Sequence, residues 1–119
     1  MKHIALLFAL ILALAMPTFA TSLPERLSKK QLDSLIASAK TPTEHQRIAD
    51  YYRAESDRLL AEANDHAQMA ASFRASADKR VNSNVDHCVY VAKTLKAKSA
   101  KALALAEDHE RMAQAANPR

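Results

Sequence analysis

Apolar residues recur along this chain in three rhythms, and each rhythm predicts a different element. From Ile4 to Met16 they run almost without interruption. Around Leu32, Leu35 and Ile36 they fall three and four apart, the spacing of a single helical face. From His45 the pattern becomes long and regular, in alternating steps of four and three: His45, Ala49, Tyr52, Ser56, Leu59, Ala63, His66, Ala70, Phe73 and Ala77. A second series follows the same rule through Val85, Cys88, Ala92, Leu95, Ser99, Ala102, Ala106, His109 and Ala113. In both, one of the two alternating rows is almost entirely Ala or Ser. Such a heptad seam predicts two long helices lying against one another, and its small residues let the axes approach at the short end of the usual ~8–10 Å.

Punctuation places the boundaries. Ser28-x-x-Gln31 reads as a capping box for a short helix over about 29–39. Thr41-Pro42-Thr43-Glu44 combines an N-cap residue, a proline at the first helical position and a glutamate at the third, so a second helix begins at Pro42 and runs to about 78. The polar stretch 78–84, DKRVNSN, holds the next break. Ser83-x-x-Asp86 resembles a looser cap for a third helix over about 84–116, ending before Asn117-Pro118. Glycine is absent, and the four prolines stand at 17, 24, 42 and 118, outside the two long segments except at the start of the first. A β-rich fold would need turn residues that this chain lacks. The expected class is all-α: a long antiparallel Ala-seam hairpin with a short preceding helix.

The first rhythm belongs to something else. Lys2 and His3 precede the apolar run, and Phe19-Ala20 follows Pro17-Thr18, with small residues three and one positions before a cleavage point after Ala20. This reads as a secretory signal peptide over 1–20, leaving 21–119 as a single helical domain exported to the periplasm. No cysteine follows the cleavage point, so no lipid anchor is expected, and membrane contact is at most peripheral. Net charge is +4, or +3 once Lys2 is removed, with acidic and basic residues interleaved. Nucleic-acid binding calls for a concentrated basic face and is not expected. Lys93, Lys96, Lys98 and Lys101 make only a mild basic band.

The two long helices also look like copies of one another. Residues 45–70, beginning with His45, align with 87–113, beginning with His87, across a one-residue gap, and both end on the pattern Asp-His-x-x-Met-Ala, at 65–70 and 108–113. The opening TPTEHQRIADYY at 41–52, together with the His-x-x-Met-Ala closings at 66–70 and 109–113, resembles a group of small, secreted, Ala-rich helical proteins of Gram-negative bacteria. The resemblance covers most of the chain after residue 20. It implies a location and a shape and carries no catalytic residues.

Candidate chemistry rests on His45, His66, His87, Cys88 and His109, with Met69 and Met112 each three residues beyond a histidine. Imidazole, thiolate and thioether suit copper or zinc. Whether these ligands meet depends on register. In an antiparallel hairpin, facing residue numbers sum to a constant. A sum near 154 brings His45 to His109 and His66 to Cys88. A sum of 161–162, one heptad away, sets Tyr52 against His109, Leu59 against Ala102 and Phe73 against Cys88. The break at 78–84 favours the second, in which the histidines are dispersed. Cys88, the only cysteine, has no intramolecular partner; burial on the seam is expected first, an interchain bridge next.

No Gly-rich phosphate loop, Gly-x-Ser-x-Gly elbow or haem-attachment motif is present, so no enzyme and no cofactor are expected. The function expected is that of a non-enzymatic structural or interaction protein of the cell envelope. Its partners would be further copies of the chain or another envelope protein. The alternative is a small periplasmic copper- or zinc-binding protein using the seam histidines and Cys88.

Overall fold

The computed structural model describes residues 26–116. The leader read at 1–20 lies outside the described residues. Three α-helices account for most of what is described: α1, Lys29–Ser38; α2, Pro42–Ala75; and α3, Asn82–Ala115, with a 3₁₀ turn at Lys79–Val81 leading into α3. The chain is an all-α helical hairpin. Each arm has 34 residues, about 50 Å of helix.

Both N-terminal start signals act as the chain wrote them. Ser28 Oγ accepts from the Gln31 amide while the Gln31 side chain accepts from the Ser28 amide, at 3.2 and 2.7 Å. Thr41 Oγ1 likewise accepts from the Glu44 amide at 3.2 Å, and Glu44 Oε2 accepts from the Lys40 and Thr41 amides at 2.8 and 2.9 Å. These donors hold the Glu44 carboxyl below the usual carboxylate range, with the Lys40 amide contributing most. The linker between α1 and α2 is only Ala39–Thr41, so α1 folds back along the first half of α2.

The second turn departs from the expectation. Helix α2 stops at Ala75, and α3 starts at Asn82 with Val81 in the cap position and no side-chain cap. Ser83 and Asp86 sit inside the helix. The cap is instead one step upstream. Ser76 Oγ accepts from the Asp78 amide at 3.2 Å, and Asp78 Oδ1 accepts from the Arg80 amide at 3.0 Å. The 3₁₀ turn then passes directly into α-helix, the Asn82 amide donating to the Lys79 carbonyl. A polar stretch with poor helix formers is thereby helical from its fifth residue, because a preformed turn supplies the nucleus that costs most.

That earlier stop centres the turn on residues 78–79 rather than 81 and fixes the register. His45 faces His109, and Ser56 faces Ser99. Leu59 packs with Ala63 and Leu95, and Ala70 with Val85 and Cys88. Along most of the seam the facing numbers sum to about 154–155, so the register of 161–162 is corrected. The heptad pattern permits only steps of seven, and 154–155 is the permitted value nearest the turn that forms.

The seam is the core. Ala49, Ala63 and Ala106 are wholly buried, while Ala61, Ala97 and Ala104, on the outer faces, are exposed. Ser56 and Ser99 are the buried polar pair and satisfy each other: Ser56 Oγ lies 3.0 Å from the Ser99 carbonyl, Ser99 Oγ 2.9 Å from the Ser56 carbonyl, and the hydroxyls 2.8 Å apart. Among the described residues Ile48 is the one large side chain fully buried, although it sits one position off the seam. Helix α1, whose Leu32 is buried, covers that flank: Arg26 is close enough to lower the Glu55 carboxyl, behind the larger effect of Arg58, and Asp33 close enough to raise Tyr52, behind burial. Leu103 and Leu105 remain exposed.

Candidate functional site

The register brings the histidines together in two pairs, one at each end of the hairpin. At the open end His45, in the first turn of α2, meets His109, near the close of α3. Their Nδ1 atoms are 3.1 Å apart and their ring centroids 5.3 Å. One neutral ring can donate to the other at that distance; two protonated rings cannot. Tyr52 stacks on His109 from the next seam position, centroids 6.4 Å apart, and Tyr51 meets Tyr52 edge-on. Burial lowers the His109 pKa below that of a free imidazole; the neighbouring His45 lowers it further, and Asp108 opposes with a smaller effect.

Near the turn end, His66 pairs with His87, centroids 6.5 Å apart in an edge-to-face arrangement. The partner expected for His66 in this register was Cys88; its neighbour His87 takes that place. His66 Nδ1 is shielded from solvent and has no hydrogen-bond partner among the described residues. Cys88 turns into the seam instead, 4% exposed, packed with Ala70, Val85 and Phe73 and carrying a free thiol. Met69 and Met112 are exposed. Of the five candidate ligands, four thus meet two by two. No group of three or more His, Cys, Asp or Glu converges on a metal position among the described residues.

The two pairs share one origin. Each aligned copy begins with a histidine (His45, His87) and carries another near its end (His66, His109). Antiparallel packing sets the start of one copy against the end of the other, so an approximate two-fold axis across the seam relates the pairs.

Sequence reading missed the flank opposite α1. Positions immediately after the bulkier seam row, namely 53, 60, 67 and 74 in α2 and 89, 96, 103 and 110 in α3, lie on this flank. The Arg53 guanidinium proves the grouping by forking onto both carboxylate oxygens of Glu110 at 2.6 and 2.7 Å. Glu107 and Asp57 surround the same guanidinium closely enough to help raise its pKa, behind Glu110 itself. Toward the turn, Ala67, Ala70, Val89 and Ala92 floor an open groove of about 370 Å³ rimmed by Arg74, Lys93 and Lys96. Leu60 and Leu103, 43% and 38% exposed, lie between these charged ends. The signal available was the residue beside each bulkier seam position, which in α3 alternates apolar and charged through Val89, Lys96, Leu103 and Glu110.

Compared with known protein families, curated proteins and solved structures, the chain matches none. No described helix is long and apolar enough to cross a membrane.

Proposed function

We propose that this is a non-enzymatic structural or interaction protein of the cell envelope, held in the periplasm, whose helical faces engage other proteins. One observation carries the reading. The hairpin builds its seam largely from Ala and Ser and leaves the larger Leu60, Val89 and Leu103 exposed, on a flank flanked in turn by fixed charge. An Ala-lined seam buries little area per residue at about 25 cal/mol per Å², so two long arms gain from a further surface laid against them. The export half of the proposal rests on the apolar leader of residues 1–20.

Site-specific photo-cross-linking in a Gram-negative host tests both halves. A photoreactive residue at Leu60 or Leu103 should give defined adducts, whereas one at Ala61 or Ala104, on the outer faces, should give none. The recovered chain should begin at Thr21 by mass and fractionate with the periplasm. Equal labelling from both faces would sink the interaction reading, and a cytoplasmic chain retaining residues 1–20 would sink the location.

A second reading has its own observation. Two imidazole nitrogens 3.1 Å apart stand at about the separation of two ligands of one tetrahedral zinc, whose Zn–N bonds are about 2.0 Å. A periplasmic copper or zinc carrier would use His45 and His109 as one seat and His66 with His87 as the other. Calorimetric titration with Zn²⁺ and Cu⁺ decides it: binding tighter than micromolar that falls by one equivalent in His109→Ala supports the carrier, and its absence leaves the interaction protein alone.

A further inference from the structure

We propose that the flank carrying Leu60 and Leu103 is a self-complementary docking surface for a second copy of this chain, related to the first by a two-fold axis. This deepens the interaction reading above and rests on it. Charge distribution carries the inference. In the half toward the open end, Asp50, Asp57 and Glu107 face outward around the Arg53–Glu110 pair, and none of the three has a cationic partner closer than 4 Å among the described residues. In the half toward the turn, Arg74, Lys93 and Lys96 rim the groove, and none of these has a carboxylate partner among the described residues. Asp86 reduces that half to about two positive charges against three negative. Between them lie the exposed Leu60 and Leu103.

Negative half, apolar centre and positive half is a sequence that matches itself only when reversed. A two-fold axis through the Leu60–Leu103 region reverses it, laying each copy's open end over the other's turn. The same operation brings four leucines together at the centre and sets the negative half, Glu107 of α3 foremost, over the partner's positive half with Lys93 and Lys96. An interface related by a two-fold axis requires this self-complementarity. A flank about 50 Å long and two helices wide also offers on the order of the ~800 Å² per partner that a standard interface uses. Helix α1 occupies the opposite flank and leaves this one open. The product is a four-helix arrangement.

Sedimentation equilibrium tests the inference on protein expressed from the whole sequence, with helix content checked by circular dichroism. The parent chain should dimerise below about 100 μM at physiological salt and weaken as salt rises. Lys93→Glu with Lys96→Glu, or Asp57→Lys with Glu107→Lys, should each weaken the dimer at least about tenfold by stacking like charge on like. An equimolar mixture of the two double variants should recover a heterodimer near parental strength. Tyr90→Glu, on the outer face, should change nothing.

A parent that stays monomeric, or charge-reversed variants that dimerise as the parent does, would overturn the inference. So would double variants that fail to recover one another while keeping parental helix content. A monomer that still forms Leu60 adducts with a different envelope protein would end this inference and leave the interaction reading standing. Binding of the monomer to anionic vesicles through Lys93 and Lys96 would replace it with a membrane-facing role.

Discussion

Replacing Ser56 and Ser99 by alanine, singly and together, tests the register where it is most specific. The two hydroxyls have two protons between them and three acceptors within reach, at 2.8–3.0 Å. Both side chains are 6% exposed, so water cannot substitute. Either single replacement removes one donor together with the hydroxyl–hydroxyl contact, and the remaining hydroxyl keeps only its bond to the facing main-chain carbonyl. A net hydrogen bond is worth about 1 kcal/mol. Alanine returns roughly 0.5 kcal/mol through helix propensity. Each single variant should therefore lose about 1 kcal/mol.

The hydroxyl–hydroxyl contact is lost once in every variant, so the double variant does not lose it again. Both carbonyls keep their helical partners, the seam becomes continuous Ala, and the propensity gain is counted twice. It should be no less stable than either single variant, giving a coupling of about 1 kcal/mol against additivity, well beyond the ~0.3–0.5 kcal/mol within which independent sites add. Urea unfolding followed at 222 nm reads this directly, and each single change should lower Tm by about 4–8 °C. Strict additivity would refute the argument. With a facing sum of 161–162, Ser56 would lie opposite Leu105–Ala106, and the two serines would not couple at all.

Four further outcomes follow from the same geometry. Ala63→Leu, forced into a wholly buried seam position, should cost about 1–3 kcal/mol or break the hairpin, while Ala61→Leu on the outer face should stay within about 0.5 kcal/mol of the parent, both by urea unfolding. Thr41→Ala removes the cap on the Glu44 amide and should cost about 1 kcal/mol, with faster amide exchange in the first turn of α2. His109 has a pKa lowered by folding, so the unfolded chain binds more protons; stability is full above the unfolded value of about 6.5 and falls as pH drops through the lower folded value. The urea midpoint should thus decline from pH 7.5 to pH 5, above the range where the carboxylates titrate, and His109→Gln should flatten the decline. Finally, Cys88 in the native chain should react with a thiol reagent orders of magnitude more slowly than in urea, since its sulfur is packed in the seam.

Most of the fold was legible because its determinants are local. Capping boxes at Ser28 and Thr41 act within four residues, and the seam rows announce burial through spacing alone. The turn was harder. Asn82, Ser83 and Asn84 have low helix propensity, and the Asp78 cap with the 3₁₀ turn leads them into the helix, a capping arrangement that residue-by-residue propensity does not encode. An error of two to three residues in the turn's centre shifted the favoured register by a heptad and dispersed histidines that the chain in fact pairs. The flank of Leu60 and Leu103 escaped for a different reason: its residues are ordinary one by one, and only their alignment across two arms makes a surface.

Facing positions whose numbers add to one value place a rule on how this chain can change length. An insertion or deletion in one arm alone slides every pair between that point and the open end, separating His45 from His109 and Ser56 from Ser99 while leaving the turn intact. Removing seven residues from each arm at matching heights keeps every remaining neighbour and yields a shorter rod with the same cross-section. Tolerated length variants should therefore come as matched edits, one on the way out and one on the way back.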